Sequence, residues 1–168
     1  MLGEAGNRLM QAGPVPWLSL AALIYLVHIF EEFWGGTAFS LKLSQMRGVN
    51  LTPKQFVTVN VVFFLFLILS IFLCLRLNFP AFFLVVFGTV ALINGLLHTV
   101  TSLRTITYNP GLITGLLLFV PFGVGTLFRF IGDLSLPERF SAITLSFGIY
   151  VIISLIASRS RIWFGGST

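Results

Sequence analysis

Charge is what this chain has least of. Only 9% of its 168 residues are Asp, Glu, Lys or Arg, against roughly a quarter in an ordinary soluble domain. With 57% hydrophobic residues and a mean hydropathy of +1.00, that shortage excludes a soluble globular fold. Acidic side chains are the scarcer sign, five against ten Lys+Arg, for a net charge of +5. The basic residues are scattered between apolar runs and form no stripe, so nucleic acid is excluded as a partner. Cysteine is nearly absent. The single Cys74 lies inside an apolar run, which removes both an internal disulfide and a thiolate metal site. The chain also has no polar linker, no lipidation signal and no internal repeat. Residues 1–168 therefore read as a single integral membrane domain, without the repeat architecture common in transporters.

Long apolar runs fill the space that charge leaves. A hydrocarbon core of about 30 Å takes roughly 20 helical residues to cross, and five stretches approach or reach that length. They run approximately over 17–34, 56–77, 79–103, 111–131 and 139–157. The expectation is an all-α, polytopic transmembrane bundle of five helices. The first stretch has the look of a signal peptide, with Arg8 before it and Gly35 to Ala38 after it. His28, Glu31 and Glu32 inside it mark a retained helix instead.

Local chemistry marks the helix starts. Thr52-Pro53-Lys54-Gln55 is a capping box opening the second helix. Pro16, Pro80 and Pro137 lie comparably early in the first, third and fifth. Pro121 falls within the fourth, beside Gly123 and Gly125, where a kink is expected. In the long first loop, Phe39, Leu43 and Met46 against Lys42, Gln45 and Arg47 suggest a short amphipathic interfacial helix. Gly111 and Gly115, four apart, suit close helix packing, within the chain or in a homo-oligomer.

Five crossings put Arg8, Arg76, Arg129 and Arg139 on one side. Lys42, Arg47, Lys54, Arg104, Arg159 and Arg161 fall on the other, which by the excess of basic residues is expected to be cytoplasmic together with the C-terminus.

Polar residues inside the spans can be placed in depth. His28, Glu31 and Glu32 lie near the far end of the first helix. His98 lies near the far end of the third, which runs the same way. Asn60, early in the returning second helix, and Asn94, one turn before His98, come to a similar level at about 1.5 Å per residue. Arg104 and Tyr108 follow at the same side. Glu31 and Glu32 stand three and four residues after His28 and so flank it on one face. A His/Glu/His set drawn from His28, Glu31, Glu32 and His98 suits zinc or another first-row divalent metal such as iron. The second Glu is then left as general base on a bound water. Such residues also serve as plain inter-helix hydrogen-bond partners. Inside lipid, however, each charge costs roughly 2.5–3.5 kcal/mol on insertion scales, and two adjacent carboxylates repel. A bound cation relieves both penalties.

Asn109-Pro110-Gly111 has the chemistry of a type II turn, and Tyr108 suits an interfacial aromatic belt. Its phenol could also donate to a developing oxyanion, and Arg104 could clamp a phosphate or carboxylate. The joint occurrence of His28-Ile29-Phe30-Glu31-Glu32, the later His98 and Tyr108-Asn109-Pro110-Gly111 resembles the HXXEE family of integral membrane proteins. The resemblance implies a polytopic membrane protein suspected of enzymatic activity, with no substrate attached. It adds weight to His28, Glu31, Glu32, His98 and Tyr108 as a site.

The sequence thus leads to a metal-dependent membrane enzyme, a hydrolase acting on a lipidic or membrane-associated substrate. Glu31, Glu32 and Tyr108 are its candidate catalytic groups, and Asn60, Asn94 and Arg104 stand behind them or against substrate. A di-iron centre is less well served, because the carboxylates are too few for the four-Glu, two-His bundle. The competing readings are a small transporter or cation relay using the same residues, and a non-catalytic subunit of a membrane complex.

Overall fold

The structure, a computed structural model, describes residues 13–34, 53–77 and 80–158. All regular structure among them is helical. Five helices are long and apolar enough to cross a membrane: α1 (Pro14–Trp34), α2 (Pro53–Leu77), α3 (Pro80–Thr105), α4 (Leu112–Asp133) and α5 (Leu136–Ser158). The chain is therefore an all-α bundle compatible with an integral membrane protein. The amphipathic segment expected around Phe39–Arg47 and the cap at Thr52 lie outside the described residues, as do Arg8, Arg159 and Arg161.

Prolines open the helices for the reason the sequence suggests, since a missing N–H costs nothing in the first turn. Pro14 and Pro16 stand in the first turn of α1, Pro80 is the first residue of α3 and Pro137 the second of α5. Pro121 acts differently. Its ring and its missing N–H fall inside α4, and the helix absorbs them in one π-helical turn, Gly115–Phe119, closed by the Val120 N–H on the Gly115 carbonyl. The expected kink takes this form.

α3 is the central helix, with about half of its apolar stretch buried and its most extensive packing against α4 and then α5. Glycines set the α3–α4 approach. A Cβ on Gly95 would lie 2.6 Å from the Gly115 carbonyl oxygen, and one on Gly123 would lie 2.5 Å from the carbonyl of Gly88. Gly115 therefore packs within the chain, on α3. α1 lies on α3 and α2, and the apolar faces of α2 and α5 point outward, as lipid-facing helices require.

The two ends of the bundle differ in kind. Where α1 and α3 begin and α4 finishes, Trp17, Leu18, Leu84, Val85, Phe122 and Phe130 form an apolar core. Trp17 and Phe130 stand nearly perpendicular, 5.6 Å apart between ring centroids. Where α1 and α3 finish and α4 begins, the buried side chains are His28, Glu32, His98, Ser102, Asn109 and Thr114. The buried groups at that end are mainly polar, with the Phe119 ring packed among them on His28.

Candidate metal centre

Three side chains meet at the polar end. His28 and Glu32 are one turn apart on α1, and His98 comes from α3. Their exposures are 2%, 8% and 7%. Oε1 of Glu32 lies 3.2 Å from Nε2 of His98 and 3.6 Å from Nε2 of His28. The two imidazoles stand nearly perpendicular, with centroids 5.1 Å apart, and one ligand atom from each of the three residues falls within 4.8 Å of the others. The depth arithmetic of the sequence thus corresponds to a real convergence of His28, Glu32 and His98.

Glu31 is placed elsewhere. Adjacent helical residues point about 100° apart, and the Glu31 carboxylate leaves the trio for the start of α4. Oε1 accepts from the Tyr108 hydroxyl at 2.6 Å and from the Ile113 N–H at 3.1 Å. Oε2 accepts from the Thr114 N–H at 2.7 Å and from the Thr114 hydroxyl. It caps a helix N-terminus from outside the chain segment, satisfying two of the orphan amides and meeting the positive end of the dipole. Partial burial, and then the neighbouring carboxylate, push the Tyr108 phenol up to about 12. It therefore stays a donor at neutral pH.

The segment from Tyr108 to Thr114 organises the whole site. Asn109 to Leu112 is a type II turn: Leu112 N–H reaches the Asn109 carbonyl at 2.9 Å, and Gly111 has φ 90° and ψ −5°. Gly111 lies directly against both imidazoles. A Cβ there would come within 2.6 Å of Cε1 of His98 and 2.9 Å of Cε1 of His28. The turn holds itself to α3 through Asn109 N–H on the Ser102 hydroxyl at 3.2 Å. It also sends a side chain to each histidine on the nitrogen facing away from Glu32. The Asn109 amide meets Nδ1 of His98 at 3.0 Å, and the Thr114 hydroxyl meets Nδ1 of His28 at 2.7 Å.

The π turn contributes to the same arrangement. In an α-helix, five residues at about 100° each would turn Phe119 about 140° away from Thr114. Across the wider turn both reach His28, with the Phe119 ring 4.1 Å from the imidazole between centroids.

Of the remaining predicted residues, Asn94 touches the site, its amide nitrogen 3.0 Å from Nε2 of His28. Asn60 is turned to Tyr25, accepting its hydroxyl at 3.2 Å. Arg104 lies exposed in the last turn of α3. Tyr108 is joined to Glu31 rather than to the trio. Sequence reasoning passed over Thr114 and the Asn109 side chain, and it saw Gly111 as turn and helix-packing chemistry without its contact to the histidines.

The described residues leave no buried side-chain nitrogen or oxygen without a hydrogen-bond partner. Each imidazole is held at Nδ1 and directs Nε2 to one carboxylate oxygen. At His28 this matches the arrangement by which an outer partner orients a metal-ligating histidine, whereas at His98 the amide nitrogen of Asn109 faces Nδ1.

Comparison with curated proteins and with solved structures found no match in either. Residues 19–126 match the family described as "protein of unknown function with HXXEE motif". The matched region runs from the first helix through His28, Glu31, Glu32, His98 and the Tyr108–Gly111 turn. This chain belongs to the HXXEE family.

Proposed function

We propose that the protein is a metal-dependent integral membrane enzyme, a hydrolase of a lipidic or membrane-associated substrate, with a divalent ion held by His28, Glu32 and His98. One observation carries the reading. Atoms bound tetrahedrally to zinc at about 2.0–2.1 Å stand about 3.3 Å apart, and the two Glu32–histidine separations, 3.2 and 3.6 Å, bracket that value. Two imidazoles and one carboxylate are a zinc hydrolase set that leaves a position open, and iron also accepts it.

Charge supports the same reading. The trio and its neighbour bring two carboxylates into the end of a membrane bundle, and a divalent cation balances both. When bound, such an ion polarises a carbonyl or phosphoryl oxygen and acidifies water. The residues supply the rest. Nδ1 contacts fix the direction of each ring, and Phe119 covers one face of His28. For His98 to ligate through Nε2 its proton must sit on Nδ1. A half-turn of the Asn109 amide presents an oxygen to receive it. The Asn94 amide, now on Nε2 of His28, gives way to the ion.

Placement of the site near one end of membrane-length helices supports a substrate that enters from lipid or its interface. Elemental analysis of gently purified protein is expected to find about one zinc or iron per chain. Turnover of a lipidic ester or phosphate should disappear on chelation and return with metal. Protein that binds neither metal nor performs any hydrolysis in micelles, yet changes flux across sealed vesicles, overturns the enzyme reading in favour of a conduit.

The polar end faces the cytoplasm in this proposal, together with the C-terminus. Single cysteines at Gly3 and Thr168, introduced with Cys74 replaced by Ser, are expected to react from outside and inside respectively. Labelling of Gly3 from the inside would overturn the orientation.

A further inference from the structure

The two carboxylates after His28 have different surroundings, and those of Glu31 bear on the metal through one hydroxyl. A threonine hydroxyl has a single proton and two lone pairs. The proton of Thr114 is directed to Oε2 of Glu31. A carboxylate can only accept it, and both oxygens of Glu31 already face donors. Thr114 therefore meets Nδ1 of His28, at 2.7 Å, with a lone pair. Only an Nδ1–H can make that contact. In the neutral ring the proton then cannot reside on Nε2, whose lone pair is turned to the Asn94 amide at 3.0 Å and to the site.

We infer that Glu31 and Thr114 are positioning residues: together they fix the proton of His28 on Nδ1 and so present Nε2 as a ligand before any metal arrives. The inference rests on the metal reading above and assigns the motif's two carboxylates distinct tasks. Glu32 binds the ion. Glu31 acts at one remove, through Thr114, and is neither a ligand nor the base on water.

A base needs an oxygen free to take a proton, and Glu31 has four donors already in place. The Tyr108 turn completes the device, because Tyr108, Ile113 and Thr114 hold that carboxylate where it selects the direction of the Thr114 hydroxyl. The motif's spacing follows from this division. Glu32, one full turn from His28, shares its site, while Glu31 is rotated onto the start of α4.

The test compares wild type with Thr114→Val, Thr114→Ser and Glu31→Gln in the same micelles, using Co²⁺ and Zn²⁺ as probes. Outer-sphere partners of metal-binding histidines are typically worth 10- to 100-fold in affinity. Thr114→Val should lose that much and alter the visible spectrum of bound Co²⁺, while Thr114→Ser, which restores the hydroxyl, should regain both. In metal-free protein labelled with ¹⁵N-histidine, His28 should carry its proton on Nδ1, and should lose that preference in Thr114→Val.

If Thr114→Val cannot be recovered folded, Glu31→Gln carries the test. The amide replaces one accepting oxygen by a donor and weakens the hold on the Thr114 proton, which can then turn to His28, so affinity should again fall about tenfold or more. Wild-type affinity and tautomer in both variants would overturn this inference while leaving the metal reading intact. A wild type that binds neither ion would instead overturn the metal reading. Loss in Thr114→Val that Thr114→Ser fails to restore would reduce Thr114 to packing and likewise overturn the inference.

Discussion

Replacing Gly111 by alanine is expected to destabilise the protein by about 2–5 kcal/mol and to remove metal binding with it. Two independent costs add. A side chain at a left-handed position costs roughly 1–2 kcal/mol, and overpacking a tight interior typically another 1–3. Both apply, because φ is 90° and the new methyl would meet both imidazoles at 2.6 and 2.9 Å. Neither ring can retreat without giving up its Nδ1 partner, Asn109 for His98 and Thr114 for His28. Gly148 provides the control, since a Cβ there meets nothing within 4 Å. Gly148→Ala in α5 should be neutral or slightly stabilising, as Gly to Ala usually is where the backbone permits it. Denaturant titration in micelles, paired with Zn²⁺ binding, measures both. Equal behaviour of the two variants would show that the turn does not press on the histidines.

That prediction depends on a role for Gly111 only half visible in the sequence. Asn-Pro-Gly specifies a type II turn by local sterics alone, so the positive φ was legible. The histidines that press on it come from two other helices, and no local rule announces them. The spans themselves were plain for an equally simple reason. Runs near 20 apolar residues leave few alternatives in a bilayer, and the helices begin and end within a few residues of the expected bounds.

Depth was legible and rotation was not. Alternating crossings fix the level of each polar residue, which is why His28 and His98 could be paired across 70 positions of sequence. Asn60 has the same level and still turns to Tyr25. Helical spacing put Glu31 and Glu32 on either side of His28 without choosing between them. The choice is made by α4, whose first amides and Thr114 hydroxyl attract one carboxylate and leave the other to the histidines. Thr114 carried no signal of its own, since a threonine in the first turn of a helix is ordinary. Pro121 did carry one, and the π turn before it is what brings Thr114 and Phe119 onto the same ring.

His98→Ala and Glu32→Gln are expected to abolish metal binding alike while moving the stability of the metal-free protein in opposite directions. Each removes one of three ligand atoms, so affinity should fall by more than the roughly 100-fold attributed to an outer partner. Their combination should add little, because a site already broken cannot be broken again. Without metal the two diverge. Deleting His98 leaves the buried Glu32, among the described residues, with the longer contact to His28, at 3.6 Å, and an uncompensated buried charge costs about 3–5 kcal/mol. Glutamine at position 32 removes that charge and retains an oxygen and an amide for the neighbours, so the metal-free protein should be as stable as wild type or more so. Strain of this kind at a functional site is the ordinary exchange between activity and stability. A cluster that served only to join α1 to α3 would behave otherwise. Glu32→Gln would then weaken the contact to both imidazoles and lower stability without touching any metal. Zinc titration and denaturant melts of the same two variants therefore distinguish a binding site from a polar joint, and a destabilised Glu32→Gln with unchanged zinc uptake would refute the site.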